Sequence, residues 1–376
     1  MKIVCISASE VPSSTANSIQ AMKSSQALTQ LGHQVHLILP GRSQVAWEEL
    51  AGLYGLRMPF ELEWLPANPH LKRYDFCLTA VRRARSMQAD MVYVWPLQAA
   101  VFGLLGHLPV VLELHGPPEG RLGPLAFRLF LKLNGEKRIL PITRALEAYL
   151  EEQYHHRFTP SEAIISPNGV DLERYDNLPI TPVARQRLGF PEAVTVGYTG
   201  HLYPGRGMKL LVELAHRFPQ VQFLWVGGRP EDIRYWQKQL DLEKLSNVSQ
   251  LGFIENNRLP LYQAAADILL MPYERQITGS SGGNSVDYCS PMKMFEYMGC
   301  GRAIISSDLP VIREILNNSN SILCPPEDIN AWEQALLRLV SDTGLRHSLS
   351  QRAREEVEEF TWQKRAYKAL AGFHGQ

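Results

Sequence analysis

The chain has 376 residues, more than one hydrophobic core ordinarily organises, so two domains are expected. Lysine and arginine total 38, as do aspartate and glutamate, and the zero net charge argues against nucleic acid as a partner. Five widely spaced cysteines without a C-x-x-C pair argue against a zinc knuckle or a disulfide framework and favour the reducing cytoplasm. The opening MKIVCIS turns polar too soon for a signal peptide.

Strand and helix patterns alternate along the first half of the chain. A helix is predicted over 18–31, with Gly32 as its cap. The predicted strands are KIVCIS (2–7), QVHLIL (34–39), MVYVW (91–95), VVLEL (110–114), RILPI (138–142) and AIISP (163–167). Near-continuous apolar runs of this length are typical of parallel strands that are covered on both faces.

The segment 91–112 contains no aspartate, glutamate, lysine or arginine, and its length is sufficient to cross a bilayer. Pro96 and Pro109 divide it into pieces of strand, helix and strand size. We therefore favour a buried strand–helix–strand unit over a membrane span.

A segment richer in proline and polar residues, 176–192, is predicted to link two domains, 1–175 and 193–359. The alternation then restarts. Its predicted elements are strands at 194–200, 221–228, 248–253, 267–272 and 303–307, and helices at 207–217, 231–240 and 291–299, with a short helix before 267. This order predicts an α/β protein of two Rossmann-like parallel-sheet domains that face each other across a cleft.

Polar, glycine-rich or basic segments follow the predicted strands at their carboxyl ends, where parallel sheets bind ligands. They are ASEVPSSTANS (8–18), HGPP (115–118), PNGVD (167–171), GHLYPGRG (200–207) and the long loop 273–290. The cleft between the domains is therefore the expected binding site.

Two cations in the second domain occupy helix starts, where the helix dipole disfavours them. Lys293 follows Ser290 and Pro291 in the first turn of one helix, and Arg206 precedes another, between two glycines. A bound diphosphate would explain both, whereas the competing interpretation is a pair of solvated surface cations. Glu296, one turn beyond Lys293, could accept hydrogen bonds from a ribose, or could instead pair with Lys293 or Arg302.

Together these segments resemble the retaining GT-B glycosyltransferases of family 4 over essentially the whole chain. SPMKMFEYMGCGRAII (290–305) resembles the signature of the family's second domain, GYTGHLYPGRG (197–207) its pyrophosphate segment, PNGVD the element that closes the first domain, and GHQVHLI (32–38) its second strand. The resemblance implies that the C-terminal helix, within 360–376, packs back on the first domain.

The resemblance also implies residue roles. Glu296 would bind the donor ribose, and His115 would contact the donor sugar near the reacting carbon. Arg206 and Lys293 would stabilise the leaving diphosphate, so the expected catalytic residues are His115, Arg206 and Lys293. The other expected donor-binding residues are Thr15, Ala16, Asn168, Gly200, His201, Ser290, Pro291 and Met292, with Gly227, Gly252, Phe253 and Ile254 near the nucleobase.

Three positions depart from the family pattern. The family's two glutamates are spaced E-x7-E, but the position eight before Glu296 is Tyr288. The donor-sugar contact of the first glutamate is therefore in doubt, or passes to groups near 287–290. The double glycine of the first loop is replaced by Thr15 and Ala16, which restricts close approach of a phosphate. His201 replaces a permanent cation with one expected to titrate near neutrality.

The expected reaction is transfer of a sugar, with retention, from a nucleotide sugar to a glycan or lipid-linked glycan in polysaccharide biosynthesis. A UDP-sugar is favoured over a GDP-sugar. No D-x-D pattern is present, so neither a metal nor a cofactor is expected. The alternatives are a nucleotide-sugar epimerase of the same fold and a nucleotide-binding homologue without activity. A dinucleotide oxidoreductase is disfavoured because the first strand–helix turn lacks G-x-G-x-x-G.

The segment 121–138, RLGPLAFRLFLKLNGEKR, mixes leucine and phenylalanine with basic residues. It is interpreted either as an amphipathic helix that faces the core, which is favoured, or as a peripheral contact with the inner face of an anionic membrane.

Overall fold

The computed structural model describes residues 1–43, 45–276 and 286–373. The chain forms two compact units. The first comprises Met1–Asn168 together with Trp362–Gln376, and the second comprises Gly169–Thr361. The sequence placed the first boundary at 175 and a linker after it, whereas the structure places residues 169–192 in the second unit.

The first part of the chain folds into six strands and six helices. In chain order these are β1 (Lys2–Ile6), α1 (Ala16–Gln30), β2 (Gln34–Pro40), α2 (Trp47–Tyr54), β3 (Glu61–Leu65), α3 (Tyr74–Ser86), β4 (Met91–Val94), α4 (Leu97–Leu105), β5 (Val110–Leu114), α5 (Gly123–Lys132), β6 (Lys137–Pro141) and α6 (Arg144–Tyr154), with a 3-10 turn at Pro69–Leu71.

These strands form one parallel sheet in the order β3-β2-β1-β4-β5-β6. The register places Ile3 beside Val35 on one side and beside Met91 on the other. Every residue of β4 and β5 is buried, as expected of strands with helices on both faces. The order reverses between β1 and β4, which is the point where doubly wound sheets open toward ligands.

Two sequence predictions differ from this sheet. The segment 163–167 is not a strand, because it contributes only a single bridge between Ala163 and Ile139. The edge strand β3 was not predicted, since its sequence ELEWL alternates charged and apolar residues and none of its residues is buried. An edge strand has one free side and one neighbour, so it lacks the continuous apolar signal of the interior strands.

The apolar segment 91–112 forms β4, α4 and the start of β5, as the sequence predicted. In the described part of the chain, no helix has both the length and the apolar character that crossing a membrane requires. All five cysteines are unpaired thiols.

The second unit repeats the alternation with α7 (Thr181–Leu188), β7 (Thr195–Thr199), α8 (Met208–Arg217), β8 (Gln222–Val226), α9 (Pro230–Leu242), β9 (Val248–Gln250), α10 (Leu259–Ala264), β10 (Ile268–Met271), α11 (Met292–Cys300), β11 (Ala303–Ser307), β12 (Ile322–Cys324), α12 (Ile329–Ser341) and α13 (Thr343–Glu356). Two 3-10 turns, Leu172–Arg174 and Val357–Phe360, belong to the same unit.

Its sheet is also parallel, in the order β12-β11-β10-β7-β8-β9. When counted from β7, this is the same strand order as in the first unit, with the reversal between β7 and β10. The core beside the sheet contains aromatic as well as aliphatic side chains, with Phe223, Trp225 and Trp332 almost fully buried. The short strand β12 was not among the predicted elements.

The predicted linker contains α7, which is fastened to the second unit. Arg185 of α7 donates to the Asp267 carboxylate at 2.7 Å, and Asp267 also accepts from the backbone N–H of Thr195 at 2.8 Å. α7 is therefore bonded to the start of β7 and does not act as a flexible connection.

The last helix, α14 (Trp362–Leu370), packs in the first unit beside α1. The Arg138 side chain of β6 donates to the carbonyl oxygens of Ala369 and Ala371, each at 2.9 Å. These bonds satisfy carbonyl groups that the end of a helix leaves without partners.

Candidate functional site

The carboxyl ends of β7 and β10 lie side by side where the strand order of the second unit reverses. The loop after β7 carries His201 and Arg206 and leads into α8. The connection after β10 leads into α11, which carries Lys293 and Glu296. The sheet topology therefore brings together side chains that are about 90 residues apart in sequence.

Lys293 is the second residue of α11, and its amine is buried. Nζ lies 4.1 Å from the centroid of the Tyr198 ring and 5.6 Å from that of Tyr273, and it has no hydrogen-bond partner within the described residues. Burial lowers the pKa of this amine well below the ordinary 10.5, and the charge of Arg206 lowers it further. Lys293 is therefore not the solvated surface cation of the competing interpretation.

Arg206 lies against the same aromatic group. Its guanidinium is 5.1 Å from the ring centroid of Tyr203 and 4.9 Å from that of Tyr273, and Nη2 donates to the Tyr203 hydroxyl at 3.3 Å. Its Nε is buried without a hydrogen-bond partner within the described residues. No carboxylate in that part of the chain forms an ion pair with Arg206 or Lys293, and aromatic ring faces lie against both side chains.

His201 differs from its predicted behaviour. Its ring stacks on Tyr203 with centroids 5.0 Å apart. Burial, together with the nearby cations Arg206 and Lys293, lowers the pKa of His201 to about 4. The expected titration near neutrality is therefore wrong for this protein without ligand, and the imidazole is neutral at pH 7.

Glu296 is held by an amide and not by a cation. Nε2 of Gln263 donates to its Oε2 at 3.3 Å, while Oε1 of the same amide accepts from the Tyr175 hydroxyl at 3.0 Å. Arg302 instead donates to backbone carbonyl groups, including Ala266 at 3.0 Å. The predicted alternative, in which Glu296 pairs with Lys293 or Arg302, is not present among the described ion pairs. The carboxylate keeps acceptor capacity for hydroxyl groups.

Three glycine-containing loops meet beside this cluster. Gly227 donates from its backbone N–H to the carbonyl oxygen of Gly252 at 2.7 Å. A Cβ on Gly227, which has φ +116°, would lie 2.3 Å from the carbonyl oxygen of Gly200. Only glycine fits this close approach of two backbones. Phe253 and Ile254 follow Gly252, and the Phe253 ring is 52% exposed.

The start of α11 lies one residue later than predicted. Pro291 is the N-cap, Met292 is the first helical residue, and Ser290 before them is buried. No side chain caps the first turn, and it contains no acidic residue. The helix continues through Cys300 to a left-handed C-cap at Gly301, instead of breaking at 299. Residues 277–285 of the predicted long loop lie outside the described residues.

In the first unit, His115 directly follows β5, and its Nε2 lies 2.7 Å from Oε1 of Glu113. Glu113 is almost fully buried and also contacts Gln20, Tyr93 and Arg365. These partners were not among the predicted site residues, although a glutamate within the apolar strand VVLEL, two residues before His115, indicates a buried polar contact.

The first loop is organised by hydroxyl groups. Thr15 is the N-cap of α1, and its side chain accepts from the backbone N–H of Ser18 at 3.4 Å. Ala16 is the first residue of the helix. Asn168, which ends the first of the two segments that form the first unit, is buried. Across the described ranges, no three histidine, cysteine, aspartate or glutamate side chains are grouped so that they could hold a metal ion.

Comparison with protein families gives two matches. Residues 20–174 match the model described as Glycosyltransferase Family 4, and residues 193–342 match Glycosyl transferases group 1. Between them the two models cover most of the chain. Both describe glycosyltransferases, so they do not support the epimerase alternative.

Similar proteins agree with these matches. Phosphatidyl-myo-inositol mannosyltransferase of Mycolicibacterium smegmatis is 24% identical, over 98% of this chain and 94% of that protein. The structure of sucrose-phosphate synthase from Thermosynechococcus elongatus has a TM-score of 0.75 at 17% identity, covering 98% of this chain and 97% of the other. HepE of Anabaena, solved with UDP, has a TM-score of 0.74 at 18% identity, covering 99% and 100%. The chain belongs to family 4 of the glycosyltransferases and has the GT-B fold.

Proposed function

We propose that the protein transfers a sugar, with retention of anomeric configuration and without a metal ion, from a nucleotide sugar to a glycan or lipid-linked glycan acceptor. UDP-sugars are the favoured donors and GDP-sugars the alternative. The nucleotide binds the second unit, with the diphosphate at Arg206 and Lys293, the ribose at Glu296 and the base near Phe253. His115 contacts the transferred sugar.

The observation that carries this proposal is the buried amine of Lys293. An unpaired cation in a low-dielectric site costs free energy unless something of opposite charge reaches it. Lys293 and Arg206 lie at the starts of α11 and α8, and the positive end of a helix dipole also attracts anions. A diphosphate supplies two or more negative charges and many acceptor oxygens, which suits this arrangement better than a single carboxylate.

The preference for UDP rests on the structural neighbours. HepE of Anabaena was solved with UDP and with UDP-glucose. A TarM variant from S. aureus was solved with UDP as well. The exposed Phe253 ring offers a face on which a uracil can stack.

Retention fits the chemistry of the first unit. Glu113 lies next to His115 but is 1% exposed, and its carboxylate is occupied by an arginine, a histidine, an amide and a phenol. A carboxylate engaged in this way is a poor nucleophile. We therefore propose the same-face route, in which the leaving phosphate oxygen takes the proton of the acceptor hydroxyl while Arg206 and Lys293 stabilise the diphosphate.

A screen of nucleotides tests the donor site. UDP, GDP, ADP, UDP-glucose and GDP-mannose are compared by thermal unfolding with EDTA present. A ligand at a hundred times its dissociation constant stabilises the folded protein by about 2.7 kcal/mol. Stabilisation by a uridine or guanosine nucleotide in EDTA, with anomeric retention in the product observed by NMR, is expected. No stabilisation by any nucleotide would refute the proposed site, and loss of turnover in EDTA that Mg²⁺ or Mn²⁺ restores would refute metal independence.

For the acceptor side, we propose that α5 contacts an anionic membrane surface. Phe127 and Phe130 of this helix are buried in the core, but Leu122, Leu125 and Leu129 are 53%, 59% and 45% exposed. Their spacing places them on one face, and the exposed Arg121, Arg128 and Lys132 flank them. The helix therefore faces the core on one side and offers apolar and basic groups on the other, which suits a lipid-linked acceptor.

Vesicle sedimentation tests this surface. Wild-type protein is expected to bind vesicles that contain anionic lipid and not purely zwitterionic ones. Changing Leu125 and Leu129 to glutamine should reduce binding, while Leu337→Gln, at an exposed leucine of α12, should not. Equal binding of both variants would refute the contact without affecting the donor site.

A further inference from the structure

The carboxylate of Glu113 is the centre of a buried polar cluster in the first unit. Oε1 accepts from Nε2 of Gln20 at 2.6 Å and from Nη2 of Arg365 at 2.8 Å, and lies 2.7 Å from Nε2 of His115. Oε2 accepts from the Tyr93 hydroxyl. Glu113 thus has four partners, drawn from α1, β4, α14 and the residue that follows β5.

The cluster keeps Glu113 ionised. Burial alone would raise the pKa of this carboxyl, but Arg365 and His115 outweigh burial and lower it to about 2. Arg365 is itself fixed, because its Nε donates to the carbonyl oxygen of Pro167 at 2.9 Å and its Nη2 to that of Ser166 at 3.2 Å. Glu113 and Arg365 therefore form a buried, hydrogen-bonded ion pair, and its carboxylate contacts His115.

This arrangement determines the state of the imidazole. A carboxylate can only accept, so Nε2 of His115 carries the proton that it shares with Glu113. In the neutral ring, Nδ1 is then a hydrogen-bond acceptor. No hydrogen-bond partner of Nδ1 is found within the described residues, and the side chain is 27% exposed. Nδ1 is thus available to a hydroxyl group from outside the protein.

We propose that Glu113 and Arg365 are positioning residues that hold His115 in a single tautomer and orientation, with Nδ1 presented to a hydroxyl group of the transferred sugar. The inference rests on the proposed role of His115. It assigns to Arg365 of α14 a function in turnover beyond anchoring the helix. A carboxylate that accepts a hydrogen bond from one ring nitrogen of a histidine fixes the tautomer and the orientation of the ring, and so determines what the other nitrogen can bind.

A purely structural ion pair is the competing explanation, and Arg138 provides the matched control. Arg138 also lies in the first unit and donates to backbone carbonyl groups, those of Ala369 and Ala371, but it does not contact Glu113 or His115. Arg138→Gln should therefore loosen α14 without changing the imidazole. Glu113→Gln and Arg365→Gln are combined in one variant, because removing one charge alone leaves the other buried and unpaired and endangers folding.

Nitrogen NMR of histidine-labelled protein tests the tautomer directly. The His115 signal, identified by its loss in His115→Gln, should show Nε2 protonated and Nδ1 unprotonated at neutral pH. In the combined variant the shifts should move toward a mixture of the two tautomers, while Arg138→Gln should leave them unchanged. A wild-type ring protonated on Nδ1, or a tautomer unaffected by loss of the pair, would overturn the inference.

A mutant cycle tests the consequence for turnover, measured as release of UDP from UDP-glucose or of GDP from GDP-mannose, whichever the wild type hydrolyses faster. The combined variant should lower kcat about tenfold or more with little change in KM. Added to His115→Ala, it should lower kcat no further, because it acts through that residue. Additive losses would mean a structural role. A His115→Ala variant with full kcat would instead refute the proposed function of His115, so the two failures are distinguishable.

Discussion

Both units bury charged side chains near the carboxyl ends of their strands, but they neutralise the charge in different ways. In the first unit, Glu113 has an arginine, a histidine and two neutral donors around one carboxylate. In the second, the Lys293 amine has aromatic faces and no hydrogen-bond partner within the described residues. The first cluster is complete without ligand, and the second is not.

The physical cost of each state explains the difference. A buried charge is tolerated when an opposite charge and hydrogen bonds replace the lost water, as at Glu113. Without them, burial disfavours the charged form, which is why burial lowers the pKa of Lys293. A fold that keeps such a lysine must gain when a ligand supplies the missing charge. We therefore propose that the second cluster binds the ligand and that the first cluster positions groups for the chemistry.

The largest expected effect is the loss of turnover when the first cluster, around Glu113 and His115, is changed. His115→Ala should lower kcat by about 100-fold or more, the loss expected when one preorganised contact to a transition state is removed. The affinity for UDP, measured by calorimetry, should stay within about twofold, because His115 belongs to the first unit. A folded variant that binds UDP normally and keeps full turnover would show that His115 is structural.

Changes in the second cluster, around Lys293, should affect the affinity for UDP. Lys293→Met keeps the length of the side chain but not the charge, and should weaken UDP binding by about 10- to 100-fold, since a hydrogen bond to a charged group contributes about 1.5–3 kcal/mol. Without ligand, the variant should unfold at an equal or higher temperature, because no unpaired amine is buried. Lys209→Met is the matched control, because Lys209 is also the second residue of its helix but is exposed. Equal losses of UDP affinity in Lys293→Met and Lys209→Met would contradict the proposed binding role of the second cluster.

A third variant separates ribose from diphosphate. Glu296→Ala should weaken UDP binding by about tenfold and leave inorganic pyrophosphate binding nearly unchanged, because the proposed partners of this carboxylate are the ribose hydroxyl groups and not the phosphates. Competition calorimetry with both ligands measures this difference. If the two affinities fall together, Glu296 does not contact the ribose.

The smallest effect is the dependence of binding on pH. The pKa of His201 is about 4 and that of Lys293 is depressed in the protein without ligand. A bound diphosphate favours the charged forms of both groups and raises both pKa values, so UDP binding should take up protons and weaken as the pH rises. Calorimetry in buffers of different ionisation enthalpy measures this uptake, which Lys293→Met should reduce. Identical binding enthalpies in all buffers would contradict it.

The fold followed closely from the sequence where strands are buried on both faces. Such strands read as apolar runs, and the predicted β1, β2, β4 and β5 agree with the structure within one or two residues. The edge strand β3 was missed because its charged side chains are typical of a loop. The segment 163–167 was wrongly predicted as a strand because it is apolar, although it forms only one bridge to a neighbouring strand. Local composition reports burial, whereas pairing depends on distant parts of the chain.

The candidate site was predictable to a similar extent. The positions of Lys293 and Arg206 at helix starts could be recognised from spacing, because capping and dipole preferences are local. Their aromatic surroundings could not, since Tyr198, Tyr203 and Tyr273 come from loops and strands that only the sheet brings together. Arg365 was beyond reach for the same reason, because it lies 252 residues after Glu113.

The sequence by itself therefore determined the alternation of strands and helices, the two parallel-sheet units and the resemblance to glycosyltransferases, because each depends on short-range periodicity and motif spacing. Only the tertiary structure decided the electrical state of the site: a neutral His201, an amine of Lys293 without an ion-pair partner in the described residues, and a Glu113 held ionised by Arg365. Charge state depends on burial and on distance to other charges, and both are fixed when segments far apart in the chain pack against each other.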